Sequence, residues 1–249
     1  MITNHRVHDP RLLVKRWRNV CKRAGLKLRC LAKSDSMDVF YVQTPVLEQT
    51  DGIYISAGIH GDEPAATEAL ISWAEKNWKR LTKLPLLIFP CLNPSGLNCN
   101  RRTNAQGEDL NRLFHLDTNP VVSAIKRVVG ERRFTLALNL HEDYDGQGLY
   151  LYEVGTPAKG GGEQLLKAAA KFIPLDRRTV IDGTPAKAGL IRRRYSKTRF
   201  DRLGHPEAIW LHLFHADHTF TVEAPSEFAL NQRVEALIAV IEKCTGMTH

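Results

Sequence analysis

Gly58-Ile59-His60-Gly61-Asp62-Glu63-Pro64 is the stretch on which the reading of this chain turns. It follows the apolar run Gly52 to Ala57, whose alternation and β-branched residues predict a buried strand, and it precedes Ala65 to Trp78, whose pattern predicts a helix. His60 and Glu63 therefore sit on the turn that leaves a strand. An imidazole and a carboxylate three residues apart at such a turn can point the same way and share one divalent cation, as the first two protein ligands of a zinc site do. The same pair also fits a surface histidine beside a helix-start carboxylate near the macrodipole, so the rest of the chain decides.

With 249 residues, 43% hydrophobic and 25% charged, the chain has the composition of a soluble globular protein with a sizeable core. It contains no run of eighteen apolar residues, so no membrane contact is expected. The N-terminus lacks the apolar stretch of a secretory signal and no propeptide is read, so a cytoplasmic protein, made active, is expected. Five cysteines, scattered and without a Cys-x-x-Cys spacing, suggest reduced thiols rather than a disulfide framework or a cysteine metal site. The net charge of +8 is concentrated in two places. Arg11, Lys15, Arg16, Arg18, Lys22, Arg23, Lys27 and Arg29 belong largely to an amphipathic helix with Leu12, Leu13, Trp17 and Val20 inward, which makes a solvated basic face the expected reading and nucleic-acid attraction the alternative. A second cluster, Arg192, Arg193, Arg194, Lys197, Arg199 and Arg202, could gather an acidic substrate.

In chain order, the basic helix is followed by two strands, Leu26 to Ala32 and Asp38 to Val46, joined by a polar turn, and then by the strand and helix around the opening motif. Leu84 to Cys91 reads as a strand covered on both faces, and Asn93 to Arg112 as a long functional loop. A helix is predicted from Pro120 to Gly130, strands over Phe134 to Leu140 and Leu149 to Val154, and a helix over Glu163 to Phe172. Pro174 to Ala216 gives no clear pattern. Thr219 to Val222 is a last strand, and a terminal helix is expected from Ser226 to about Lys243. No linker or repeat divides the chain. The fold class expected is α/β, a single domain over 1–249 with a mixed, mostly parallel central sheet flanked by helices, and with the basic helix and hairpin of 1–47 packed on it.

His60, His141 and Glu223 each follow an apolar strand at its carboxyl end, and in an open α/β sheet such ends face one crevice. Two histidines and Glu63 would leave a coordination position for water, as catalytic zinc sites do, and Glu223 would be the nearby base. The loop adds Arg102, Asn111 and Arg112, donors suited to an oxyanion and to a carboxylate held in two hydrogen bonds. The apolar anchors of Asp109-Leu110-Asn111-Arg112-Leu113-Phe114 suggest a pinned loop.

These residues carry a resemblance. Gly-Ile-His-Gly-Asp-Glu at 58–63, Asn93-Pro94-x-Gly96, Arg102-x-Asn104-x-x-Gly107-x-Asp109-Leu110-Asn111-Arg112-x-Phe114, His141 and Phe220-Thr221-x-Glu223 occur in the order found in zinc-dependent metallocarboxypeptidases of the M14 type, and the chain is similar to bacterial members acting on small peptides, including murein-peptide amidases. The resemblance implies one Zn2+ held by His60, Glu63 and His141, with Glu223 as general base and acid. It also implies Arg102 as carbonyl polariser and Asn111 with Arg112 as the clamp on a terminal carboxylate. Arg101 is the alternative to Arg102, though the Arg-x-Asn spacing favours Arg102. The chain departs from the digestive members in the lid: no tyrosine stands some twenty residues before Glu223, the nearest being Tyr195, and the region reads Gly204-His205-Pro206-Glu207-Ala208-Ile209-Trp210.

The leading expectation is a hydrolase that cuts a peptide or amide bond beside a free carboxylate in a small peptide. An N-acyl amino-acid deacylase of the succinylglutamate desuccinylase and aspartoacylase type shares the pattern and suits the arginines, although those chains carry a β-rich segment after the glutamate where only about one helix remains here. A basic nucleic-acid-binding protein without catalysis would lack a ligand or the base, and none is lacking, so no nucleic-acid partner is expected. Oligomeric state and side-chain preference are not legible.

Overall fold

A computed structural model of the chain describes residues 4–48, 51–155, 161–193 and 204–247. After a short helical turn, helix α1 (Pro10–Ala24) begins at Asp9, whose carboxylate accepts from the backbone N–H groups of Arg11 and Leu12, and ends at left-handed Gly25. Its apolar stripe buries Leu13, Trp17 and Val20, while Leu12 is only partly covered. The basic face is partly engaged within the fold. Arg16 reaches both Glu68 and Glu75 on the next long helix, and the guanidinium of Arg23 lies 4.7 Å over the Trp78 ring.

The strands β1 (Leu28–Ser34), β2 (Met37–Gln43), β3 (Gly52–Ala57), β4 (Leu86–Phe89), β5 (Phe134–Asp143), β6 (Tyr150–Gly155), β9 (Leu190–Arg192) and β10 (Ala216–Pro225) form one sheet in the order β1-β2-β4-β3-β5-β10-β6-β9. Between them, β7 (Val180–Ile181) and β8 (Thr184–Pro185) make a separate small hairpin. The sheet is mixed, as expected. Its centre, from β4 through β3 and β5 to β10, is parallel; β2 and β6 join this centre antiparallel. Every residue of β3 and β4 is buried, which is what a central strand covered on both faces requires.

Helices α2 (Pro64–Leu81), α5 (Gly161–Ala169) and α7 (Leu230–Thr245) share a core with Leu138, Val222 and Trp73, and α1 packs against α2. The opposite face is covered by α4 (Pro120–Val129) and α6 (Glu207–Phe214), whose Val122, Ile125 and Leu211 pack with Tyr54, Phe89 and Phe134. Short helix α3 (Pro94–Asn98) breaks the long loop.

Several boundaries differ from those expected. Strands β5 and β10 run on to Asp143 and Pro225, so His141 and Glu223 lie within the ladder rather than just beyond it, and the terminal helix starts at Leu230 instead of Ser226. The extension is cooperative: each strand supplies the other's missing hydrogen-bond partner past the point where its own apolar pattern stops. The illegible span yields β7, β8, β9 and α6, while Arg194, Tyr195, Lys197, Arg199 and Arg202 lie outside the described residues.

Leu138 is wholly buried at the centre of β5. Leu138→Ala is expected to cost roughly 2–5 kcal/mol through lost transfer energy and a residual cavity, measured as a lower urea midpoint at unchanged m-value.

Candidate metal centre and active site

Strand register brings the site together. Glu223 is the direct partner of His141 across the parallel β10–β5 ladder and of Tyr150 across the antiparallel β10–β6 ladder. On the other side of β5, Ala57 pairs with Leu140, so the turn after β3 starts level with His141. That turn is pressed against α3. A Cβ on Gly61 would stand 2.0 Å from the Gly96 carbonyl carbon, so only glycine admits this approach.

His60, Glu63 and His141 each offer a ligand atom within 4.8 Å of the others, and all three are buried, so the group could hold a metal ion. His60 Nδ1 lies 2.5 Å from Glu63 Oε1 and His141 Nδ1 lies 2.9 Å from Glu63 Oε2. Both imidazoles thus turn the same nitrogen toward one carboxylate. Nε2 of His60 is turned the other way, 3.2 Å from Asp109 Oδ1. Asp109 is in turn gripped through Oδ2 by Arg102 Nε and Nη2, at 3.1 and 3.0 Å.

The electrostatics favour a cation here. Burial alone would lower the pKa of His60, but the carboxylates of Glu63 and Asp109 outweigh it and raise the imidazole to about 9. Burial likewise opposes protonation of His141, and Glu63 and Glu223 reverse it. Glu63 is pushed up by burial and pulled down to about 2 by the two histidines. The buried carboxylate draws positive charge toward both imidazoles, and a divalent ion held by the three groups would supply that charge. Two nitrogens and a carboxylate oxygen are the donor set of a borderline divalent metal.

Around this group a cavity of about 250 Å³ is lined by Glu223, Arg102, Asn111, Arg112, Tyr150 and Tyr152, among others. Burial, with Glu63 and Asp143 nearby, raises Glu223 to about 8 despite the opposing pull of His141. Arg102 borders the cavity; Arg101 does not, and its guanidinium donates to the carbonyls of Thr103 and Asn104. The loop is pinned as expected. Asn93 caps α3 by accepting from Gly96 N and donates through Nδ2 to the Arg102 carbonyl, and Asn104 exchanges hydrogen bonds with Glu108.

Of the arginine cluster, Arg193 lines the cavity with its guanidinium 4.2 Å over the Tyr152 ring, while Arg192 pairs with Glu153 and Glu163 on the flank. Among the described residues, the tyrosines of the cavity come from β6, where the alternation Tyr150, Tyr152, Val154 faces inward. Sequence reasoning assigned no role to Asp109, Tyr150, Tyr152 or Glu207. Asp109 was visible within a motif, but its contact with His60 spans 49 positions and has no local signal.

The architecture is similar to that of solved metallocarboxypeptidase structures. Residues 49–155 match the model of the succinylglutamate desuccinylase/aspartoacylase catalytic domain. The fold superposes on a protein from Shewanella amazonensis SB2B provisionally assigned as a metallopeptidase, with a TM-score of 0.84 and 21% identity over 97% of this chain and 94% of that one. It also superposes on murein-tripeptide amidase MpaA from Escherichia coli O157, with a TM-score of 0.61 and 16% identity over 87% and 90% of the two chains. Carboxypeptidase SOL1 of Arabidopsis thaliana is 34% identical over an alignment of 103 residues, a match that covers 33% of this chain and 21% of that protein, so the chain spans about a fifth of this curated relative. The resemblance drawn from the motifs is thus borne out in fold for the carboxypeptidase type and over 49–155 for the desuccinylase type. Among the described residues no helix is long and apolar enough to cross a membrane.

If Asp109 orients His60, Asp109→Ala is expected to weaken zinc binding by roughly ten- to hundredfold in chelator competition, as loss of a ligand's hydrogen-bond partner does, whereas His141→Ala should abolish it.

Proposed function

We propose that the protein is a zinc-dependent hydrolase that cleaves a peptide or amide bond next to a free C-terminal carboxylate. The observation that carries this reading is the meeting, in one cavity, of His60, Glu63 and His141 with Glu223 and with the donors Asn111 and Arg112. His60, Glu63 and His141 would hold the ion, which when bound supplies Lewis-acid polarisation and a more acidic water.

The remaining work falls to side chains. Glu223 takes a proton from the attacking water as its oxygen bonds to the carbonyl carbon. It then delivers that proton to the amine nitrogen as the C–N bond breaks. Burial that raises Glu223 toward neutrality suits a carboxyl group that must both accept and return a proton. Arg102 donates to the carbonyl oxygen as negative charge builds there. Arg112, whose Nη1 also donates to the Asn111 carbonyl, and Asn111 hold the terminal carboxylate and so fix which bond reaches the reacting centre. The five free thiols are consistent with the cytoplasm as the working compartment, which forms part of this proposal.

The match over 49–155 favours a second reading, deacylation of an N-acyl amino acid. Both reactions release an amine that bears a carboxylate, so the same clamp serves either. Offering the zinc-loaded protein cell-wall tripeptides, ordinary dipeptides and N-acylated amino acids together, with products identified by mass spectrometry, separates them; release of product from none of these would defeat both.

Glu223→Gln is expected to keep its zinc and lose turnover by orders of magnitude, since it removes the proton carrier and no ligand. Arg112→Ala should weaken substrates with a free carboxylate far more than their C-terminal amides in kcat/KM; equal losses would place the clamp elsewhere.

A further inference from the structure

Glu207 is the first residue of α6, is 1% exposed, and belongs to neither the candidate metal group nor the candidate clamp. Its carboxylate accepts from Tyr54 Oη at 2.5 Å, from Ser56 Oγ at 2.7 Å and from Asn139 Nδ2 at 2.8 Å. Ser56 and Asn139 are direct partners across β3 and β5, and Asn139 Nδ2 also donates to Ser56 Oγ at 2.9 Å. One carboxylate therefore fastens the start of α6 to the two strands that lead to His60 and His141.

The backbone of the same residue has a different task. Glu207 N–H donates to Asn111 Oδ1 at 2.9 Å. A backbone N–H can only donate, so the contact fixes which end of the Asn111 amide is oxygen and turns Nδ2 away from it, on a residue that lines the cavity. The two segments are locked along their length. Phe114 N donates to the His205 carbonyl at 3.2 Å, and left-handed Gly204 lies so near Arg112 that a Cβ there would stand 2.3 Å from the Arg112 carbonyl oxygen. Pro206, Ala208 and Ile209, next to Glu207, form a wall of the cavity that also contains Asn111 and Arg112.

Resting on the carboxylate-clamp reading above, we propose that Glu207 is a positioning residue for that clamp, one that sets the donor direction of Asn111 and the distance of the α6 wall from Arg112. A buried carboxylate is an expensive way to fill space, because burial disfavours its charge and an apolar side chain would pack at lower cost. An apolar side chain could not gather three donors from two strands while its own N–H orients a fourth group. The carboxylate accepts from hydroxyl and amide donors, none of which lines the cavity, which separates its role from that of Glu223.

The test compares kcat and KM for a dipeptide that the wild type hydrolyses and for the same dipeptide as its C-terminal amide, with bound zinc measured alongside. Wild-type protein that does not prefer the free carboxylate would defeat the clamp reading itself, before Glu207 is at issue. Given that preference, Glu207→Gln places an amide N–H among groups that already donate and is expected to raise KM for the carboxylate substrate by about tenfold. Little change is expected in kcat, in zinc content or in the amide substrate. Tyr54→Phe, which removes one donor to Glu207 far from the cavity, should move KM in the same direction by a smaller factor of about three. An unchanged preference in Glu207→Gln overturns the proposal, as does a parallel loss on both substrates together with zinc. Should Glu207→Gln fail to fold, an unchanged preference in Tyr54→Phe overturns it equally.

Discussion

The arrangement depends on one carboxylate that cannot stay buried alone. Glu63 is 2% exposed at the start of a helix, and its two oxygens are taken by two imidazoles, one from the turn after β3 and one from β5. Ionised and dry, such a group is tolerated only with positive partners in contact. That requirement joins the turn after β3 to the end of β5, and the same pull of Glu63 that raises both imidazoles would favour a divalent ion held among them.

A second shell of charge keeps this centre from collapsing on itself. Asp109 holds the far nitrogen of His60, and Arg102 holds Asp109, so ring orientation and guanidinium position are set by one chain of contacts. Glu142, next to His141, is pushed up to about 7 by burial, against the opposing pull of its Arg233 partner and the Ala65 N–H. Glu142 and Glu223 both line the cavity and are both raised above the usual carboxylate range, but the Glu142 carboxylate is taken by Arg233 and the Ala65 N–H.

How much of this was legible depends on the range of each interaction. The strand, turn and helix around His60 and Glu63 follow from local apolar pattern, and so do the buried strands ahead of His141 and Glu223. Ladder pairing carried the carboxyl ends of those strands three residues further, which no single-strand pattern reveals, because the added hydrogen bonds belong to the partner strand. The span from Pro174 to Ala216 was opaque for a related reason. Strands of two or three residues have no periodicity to detect, and α6 carries apolar residues on several faces because it is covered by both sheet and loop. Asp109 and Glu207 act across 49 and more than 90 positions, so their roles exist only in the folded chain.

The two halves of the site are therefore held by different means. Of the groups around the candidate metal centre, His141 and Glu223 stand within paired strands, where the backbone ladder fixes them, while His60 and Glu63 stand on the turn after β3 that Gly61 presses against α3. Asn111 and Arg112 stand on a loop with almost no regular structure, opposite α6. On the carboxylate-clamp proposal, donors that hold a planar carboxylate in two directional hydrogen bonds need fixing to within a fraction of an ångström. The donors gathered on Glu207 tie the start of α6, and through its N–H Asn111 as well, to the rigid strands β3 and β5.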